Sequence, residues 1–418
     1  MPQTPVSSDK TARTDDGSKM INSAHAPGKR LPHMAVQIAT ITLFRLVLNT
    51  ARRFIYPFAP ALGRGLDVPL TAVTTMIAFN QTTGLLGLAA GPLADRWGYR
   101  HMMQAGLGLL AAGMLLSTVA PVYGYVFVGL LLAGLGKSVF DPAVQAFIGH
   151  RVPFARRGMA IGAIETAWAG STFIGIPLIA LIIDEFGLRW SFLAMAAFGA
   201  AGCLALARMI PADNGSGAAG GEAIGILAAL GQLLRVRPAA GMMGFAFWIS
   251  MANDNLFVIY GAWLESDFSV SLVTLGLSTS VIGVAELTGE SCTAFFADRI
   301  GIKRAVTIGL SLAIISYAAL PLIGRSLHTA MLGLFLVFLF FEFTIVCSFS
   351  LSTELMPASR ATMMAGFFAA AALGRMIGAL SGSPVWLAGG LTAVAGTSAL
   401  ATAFAMLCFW WGVRRWKQ

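Results

Sequence analysis

Apolar runs of about 20 residues or more recur from Met34 almost to the C-terminus, separated by charged or Pro/Gly-containing breaks. One bilayer crossing by a helix takes about 20 predominantly apolar residues. The runs predict helices over 34–59, 70–93, 102–120, 122–148, 159–183 and 189–210. After a polar stretch they predict six more, over 239–262, 271–297, 303–324, 329–352, 361–385 and 388–412. Strands of a membrane barrel would alternate in pattern over about 10 residues. These runs are continuous and rich in Leu, Ala and Phe, so helices are the way to satisfy the backbone in lipid.

Composition agrees with lipid as the solvent. Hydrophobic residues make up 57% of the chain and charged residues 11%, against about 25% charged in soluble domains. The 47 glycines suit close helix approach in membranes. Cys203, Cys292, Cys347 and Cys408 lie inside apolar runs without paired spacing, and the five histidines show no metal-ligand spacing, so no disulfide framework, metal site or cofactor is expected.

The net charge of +9 does not gather into a patch, which argues against nucleic acid as a partner. It sorts by side of the membrane. With twelve crossings, 20 of the 28 Lys and Arg fall on the side of the termini, and only Arg64, Arg189 and Arg325 fall on the other. Positive loops are retained inside. Both termini are therefore expected in the cytoplasm, and the chain is expected to be a multi-pass plasma-membrane protein, in a bacterium an inner-membrane one.

The two halves repeat. At a shift of about 204 residues, Pro153, Arg156, Met159 and Gly162 meet Pro357, Arg360, Met363 and Gly366. At a shift of 203, Asp95-Arg96-Trp97-Gly98-Tyr99-Arg100 meets Asp298-Arg299-Ile300-Gly301-Ile302-Lys303. Duplicated halves around a substrate site are a transporter architecture. The expected domains are a disordered cytoplasmic tail at 1–33, a six-helix bundle at 34–210, a cytoplasmic linker at 211–238, a second six-helix bundle at 239–412 and a cytoplasmic C-terminus at 413–418.

The segment Gly91-Pro-Leu-Ala-Asp95-Arg96-Trp-Gly98-Tyr-Arg100, with its second copy around Asp298 and Arg299, resembles the signature loop of the major facilitator superfamily. That resemblance covers all twelve predicted helices. It implies an all-α fold of two pseudo-symmetric six-helix bundles, and it implies a gating role for Gly91, Asp95, Arg96, Gly98, Arg100, Asp298 and Arg299. A surface ion pair that only sets topology is the alternative reading of Asp95. Gly170, Gly175 and Pro177 are similar to the Gly/Pro-rich helix 5 of the antiporter branches, with generic small-residue packing as the alternative.

Eleven ionisable residues fall inside predicted helices: Arg45, Arg52, Arg53, Lys137, Asp141, Glu165, Asp254, Glu286, Glu290, Glu342 and Arg375. Such residues cost about 2.5–3.5 kcal/mol each at a helix centre, so they normally face a water-filled path or a partner. Four cations against two acids leave the first half at +2, and one cation against four acids leaves the second at −3. A bipolar cavity is expected. Arg45, Asn49 and Arg52 share one helix face, although Arg52 and Arg53 lie near an end from which arginines can snorkel to headgroups.

The resemblance implies that helices 1, 4, 7 and 10 line the cavity. The candidates there are Arg45, Asn49, Arg52, Lys137, Asp141, Asn253 and Asn255, with Arg375 on helix 11. Lys137 and Asp141, one turn apart, can also simply neutralise each other. The candidates for carrying a coupling proton are Glu342, Asp254 and the pair Glu286 and Glu290, where two like charges repel in low dielectric. A structural role is the alternative for that pair, with Arg375 as one partner. Glu342 falls within one residue of the position equivalent to Lys137, so the two can approach each other in one state of a cycle.

Together these features point to a monomeric, proton-coupled secondary transporter of a small molecule, exporting by antiport and alternating access. The alternative is a proton symporter importing a small organic anion. A remote one is a membrane sensor or enzyme. No Gly-x4-Gly-Lys-Ser/Thr segment for ATP occurs.

Overall fold

The computed structural model describes residues 34–211, 231, 233–355 and 360–414, without the side chains of 86–96, 154, 155, 158, 298, 353, 360 and 361. The tail at 1–33, most of the linker and the last residues of the C-terminus lie outside the described residues. So do the side chains of Asp95, Arg96 and Asp298, and the surroundings of Gly91.

The first half comprises α1 (Met34–Arg53), α2 (Ala59–Leu66), α3 (Leu70–Trp97), α4 (Tyr99–Val119), α5 (Tyr123–Arg151), α6 (Phe154–Gly170), α7 (Ile176–Phe186) and α8 (Leu188–Met209). The second comprises α9 (Arg237–Phe257), α10 (Tyr260–Phe268), α11 (Leu272–Ile300), α12 (Ile302–Ile323), α13 (Leu327–Leu355) and α14 (Arg360–Val413). Ten described stretches are long and apolar enough to cross a membrane. The last of them, within α14, is two spans joined at Gly389 and Gly390, whose φ/ψ of −156°/21° and 60°/−155° break the helix. With α3 that makes twelve spans, the all-α arrangement of two six-helix bundles.

Two spans depart from the predicted continuous helices. The first stops at Arg53 and resumes as short α2, and the seventh stops at Phe257 and resumes as α10. Pro57 and Pro60 account for the first break, because proline brings no N–H to a helix ladder. The fifth span runs from α6 through a π-helical turn at Ser171–Gly175 into α7. Pro177 lies just beyond that turn; it cannot donate to the carbonyl four residues back and crowds it, and the wider turn absorbs the mismatch.

The repeat seen in sequence is also written in the backbone. The described residues with positive φ fall into three pairs: Asp67 (53°) with Ser269 (50°), Gly98 (86°) with Gly301 (89°), and Gly187 (87°) with Gly390 (60°). Their shifts of 202, 203 and 203 residues follow from those positions. Each pair closes the equivalent turn of its half.

Packing is uneven along the membrane normal. One apolar core takes in the first bundle and residues such as Leu256, Tyr260, Ile282 and Phe338 of the second. These belong to the half of the second bundle away from the termini. The half nearer the termini has its own core, with Phe245, Ala305, Leu351 and Phe409 and, among the described residues, none from the first bundle. Among the described residues, the core shared by the two bundles thus lies on the far side.

Candidate functional site

Between the bundles, near their joined end, lies a cavity of about 670 Å³ counting the solvent-open space at its mouth. The first bundle contributes Arg52, Arg53, Tyr56, Gln81 and Trp168. The second contributes Asn253, Asp254, Phe257, Glu286, Phe338, Phe341, Glu342, Ile345, Phe349 and Arg375.

Arg53 and Glu286 meet across the interface through two bonds, Nη1 to Oε2 at 3.2 Å and Nη2 to Oε1 at 2.7 Å. The guanidinium lies 4.2 Å over the ring of Trp168. A two-pronged, charge-assisted pair of this kind fixes orientation as well as charge. The structural alternative for the Glu286 and Glu290 pair named Arg375 as a partner; the partner of Glu286 is instead Arg53, and Arg375 stands beside Asp254. Nor do the two arginines at the end of α1 reach towards headgroups: Arg53 is 3% exposed, and Arg52 donates Nη2 to Gln81 Oε1 at 2.6 Å.

From Gln81 a polar chain continues across the interface. The Gln81 amide donates to the Tyr56 hydroxyl, and that hydroxyl donates to Asp254 Oδ1 at 2.9 Å. Asp254 Oδ2 stands 3.9 Å from Arg375 Nε. Tyr56 also stacks on Phe257, with centroids 4.3 Å apart. At the far surface Arg64 pairs with Glu265 at 2.6 Å, and the turn leading into α2 comes so close to α10 that a Cβ on Gly261 would collide with the Pro57 carbonyl. The bonds of Arg53 to Glu286, Tyr56 to Asp254 and Arg64 to Glu265 all join the bundles on this side.

A second charge cluster lies inside the first bundle. Asp141 sits between Lys137 Nζ (2.6 Å) and Arg45 Nε (3.1 Å), and Arg45 reaches Glu165 at 2.9 Å. Lys137 and Asp141 therefore neutralise each other in this state, and Lys137 makes no bond to Glu342. Arg45, Lys137 and Asp141 do not line the central cavity. Asn49 is fully buried, with both side-chain polar atoms unpartnered.

Asn255 was expected in the cavity and is not there. Its amide donates to the Val394 carbonyl and Ser398 Oγ, and its Oδ1 accepts from Ser381. Successive helix residues point about 100° apart, so within Asn253-Asp254-Asn255 only the first two line the cavity, and Asn255 ties α9 to both spans of α14. Glu290 is exposed one turn from Glu286, outside the cavity lining. Gly98 and Gly301 occupy equivalent turns, where Arg299 is exposed and Arg100 partly buried.

Glu342 stands apart from the other acids. It lies midway along α13, lines the cavity, and has no hydrogen bond or ion pair among the described residues. The residues that sequence reasoning missed are Arg53 as a partner, Tyr56, Gln81 and Trp168. Only Arg53 carried a signal, as a charge inside an apolar run.

The sequence model of the Major Facilitator Superfamily matches residues 41–379. Among relatives, the chain is 24% identical over 342 residues to the Uncharacterized MFS-type transporter YwfA of Bacillus subtilis, covering 81% of this chain and 83% of that one. It is 26% identical over 296 residues to the Multi-drug resistance efflux pump PmrA homolog of Lactococcus lactis, covering 68% and 72%. Among solved structures, a bacterial homolog of the human lysosomal transporter Spinster, in an inward-facing and occupied conformation, superposes with a TM-score of 0.72 at 14% identity, covering 93% and 97%.

Proposed function

Because the chain belongs to the Major Facilitator Superfamily, and so is a multi-pass membrane transporter, we propose that it is a proton-coupled antiporter that exports a small organic molecule by alternating access. The observation that carries the coupling is Glu342. Asp254 and Glu286 each pair with a guanidinium, that of Arg375 in the same bundle and that of Arg53 in the other, whereas Glu342 pairs with none among the described residues. A carboxylate left unpaired away from water is costly, so its proton is tied to whatever else fills the cavity. The efflux direction is supported by the relative named as a multi-drug efflux pump.

In this reading the termini face the cytoplasm, the Arg53–Glu286 and Tyr56–Asp254 bonds are the closed outer gate, and the chain works as a monomer in the plasma membrane. Asp95 and Arg96, with Gly91, Gly98, Arg100, Asp298 and Arg299, act on the opposite, cytoplasmic gate. Two halves rocking about a midplane site give access to each side in turn.

The experiment uses everted membrane vesicles in which an imposed pH gradient is followed by fluorescence while organic solutes are added. Solutes carried by the protein should dissipate the gradient. Glu342→Gln should abolish that response and proton-driven accumulation, yet keep exchange of substrate down its own gradient. Loss of both activities together, or of neither, would move the coupling site to Asp254 or to the Glu286 and Glu290 pair.

A further inference from the structure

Two charges in the cavity lack an opposite partner, and they differ in sign. Among the described residues, Arg52 is held by the neutral amide of Gln81 and pairs with no carboxylate, while Glu342 has no hydrogen bond or ion pair. The other charges are matched, Arg53 with Glu286 and Arg375 with Asp254. Arg52 and Glu342 do not pair with each other. The charged groups bearing most on Glu342 are Glu286 and Glu290 of α11, Arg53 of α1 and Arg375 of α14. Those bearing on Arg52 are Arg375, Asp141 and Asp254, beside the Tyr56 hydroxyl.

An aromatic wall runs between the two unmatched charges. Gln81, which holds Arg52, also holds Tyr56. Tyr56 stacks on Phe257, and Phe257 packs edge-on against Phe338 with centroids 5.2 Å apart. Phe338 precedes Glu342 by four residues on α13, one turn along the same face. The cavity thus presents a cation, an apolar surface and an acid in sequence. A simple anion there would leave Glu342 unmet, and a simple cation would leave Arg52 unmet, each a buried charge without compensation.

We propose that the substrate is a zwitterionic organic molecule, with its anionic group on Arg52, its ammonium on Glu342 and an apolar or aromatic body against Tyr56, Phe257 and Phe338. The inference rests on the transport reading above and deepens it. Ammonium and proton then compete for one carboxyl, and competition at a shared site is what exchange requires.

The test is binding by the purified full chain of benzene-centred amino acids, 4-(aminomethyl)phenylacetic acid and its homologues with one to three methylenes on either side. Each is compared with its methyl ester, which is only a cation, and its N-acetyl form, which is only an anion. For at least one spacing the zwitterion should bind tenfold or more tighter than both. Arg52→Gln should remove the advantage over the ester, and Glu342→Gln the advantage over the N-acetyl form. Equal binding of the three forms at every spacing, tighter binding of either singly charged form, or no binding by any of them overturns the proposal.

Transport in proteoliposomes separates this from the coupling reading. An ester that binds best and is accumulated against a proton gradient would sink the substrate class and keep the antiport. A zwitterion bound with the stated preferences, but moved without any response to pH, would do the reverse.

Discussion

Arg53 on α1 and Glu286 on α11 close a two-pronged ion pair between the bundles, with side chains only 4% and 7% exposed. Removing one partner of such a pair strands the other charge, at a cost of about 3–5 kcal/mol, whereas replacing both by apolar residues is far milder. Glu286→Ala and Arg53→Ala should each lower the thermal unfolding midpoint markedly in detergent. Arg53→Met combined with Glu286→Leu should recover much of the loss. A double variant as unstable as the sum of the singles would show that the two side chains do not act as a unit.

Tyr56 joins the bundles through one hydroxyl. Tyr56→Phe removes the bond to Asp254, and hydrogen bonds to charged groups contribute about 1.5–3 kcal/mol. The far-side closure should weaken by up to that amount. A cysteine placed at the fully buried Ala59, with the four native cysteines replaced, should be alkylated faster in the Phe variant. Unchanged labelling would take Tyr56 out of the gate.

Glycine at 378 on α14 lets two backbones touch. A Cβ there would press on the Met251 carbonyl and come within 3.0 Å of the Asn255 amide nitrogen, neither of which is a flexible side-chain end. Gly378→Val should abolish folded protein in size-exclusion chromatography. Gly124→Ala, with nothing within 4 Å of its new carbon, should leave the elution profile as it is.

The signature loop gives a different kind of outcome. Asp95→Asn should reduce transport while expression and substrate binding persist, since the residue is assigned to the conformational equilibrium and not to the cavity. An equal fall in substrate affinity would contradict that assignment.

Helix positions were legible because lipid imposes a length and an apolarity on every span. Ile302–Ile323 and Leu327–Leu355 lie within a few residues of the predicted 303–324 and 329–352. The internal repeat was legible too, and the paired turns at Gly98 and Gly301 bear it out. The break after Phe257 was not, because the apolar pattern runs through it unchanged, and Pro57 and Pro60, which mark the break after Arg53, fall near the end of a run long enough to read as one helix.

For the site, a charge in an apolar run announces that it needs a partner without saying which one. Arg53 and Glu286 are 233 residues apart, and no local periodicity relates them. Tyr56, Gln81 and Trp168 carry no charge at all and are unremarkable in such a composition. Asn255 was misplaced for a local reason: three adjacent polar residues read as one polar face, while a helix turns them in three directions.

The outer pair Arg64 and Glu265 differs from the inner one in its solvent. The Arg64 side chain is 60% exposed and that of Glu265 30%, so dissolved ions surround the pair and screen it, more strongly as the Debye length shortens from about 8 Å at physiological ionic strength to about 3 Å at 1 M. Arg53 and Glu286, shut away from water, are beyond that influence. With the termini in the cytoplasm, as proposed, the closure therefore has one layer that loosens as external salt rises and one that does not. Dilute surroundings would hold the outer mouth shut more firmly than brine, with no change in any ligand.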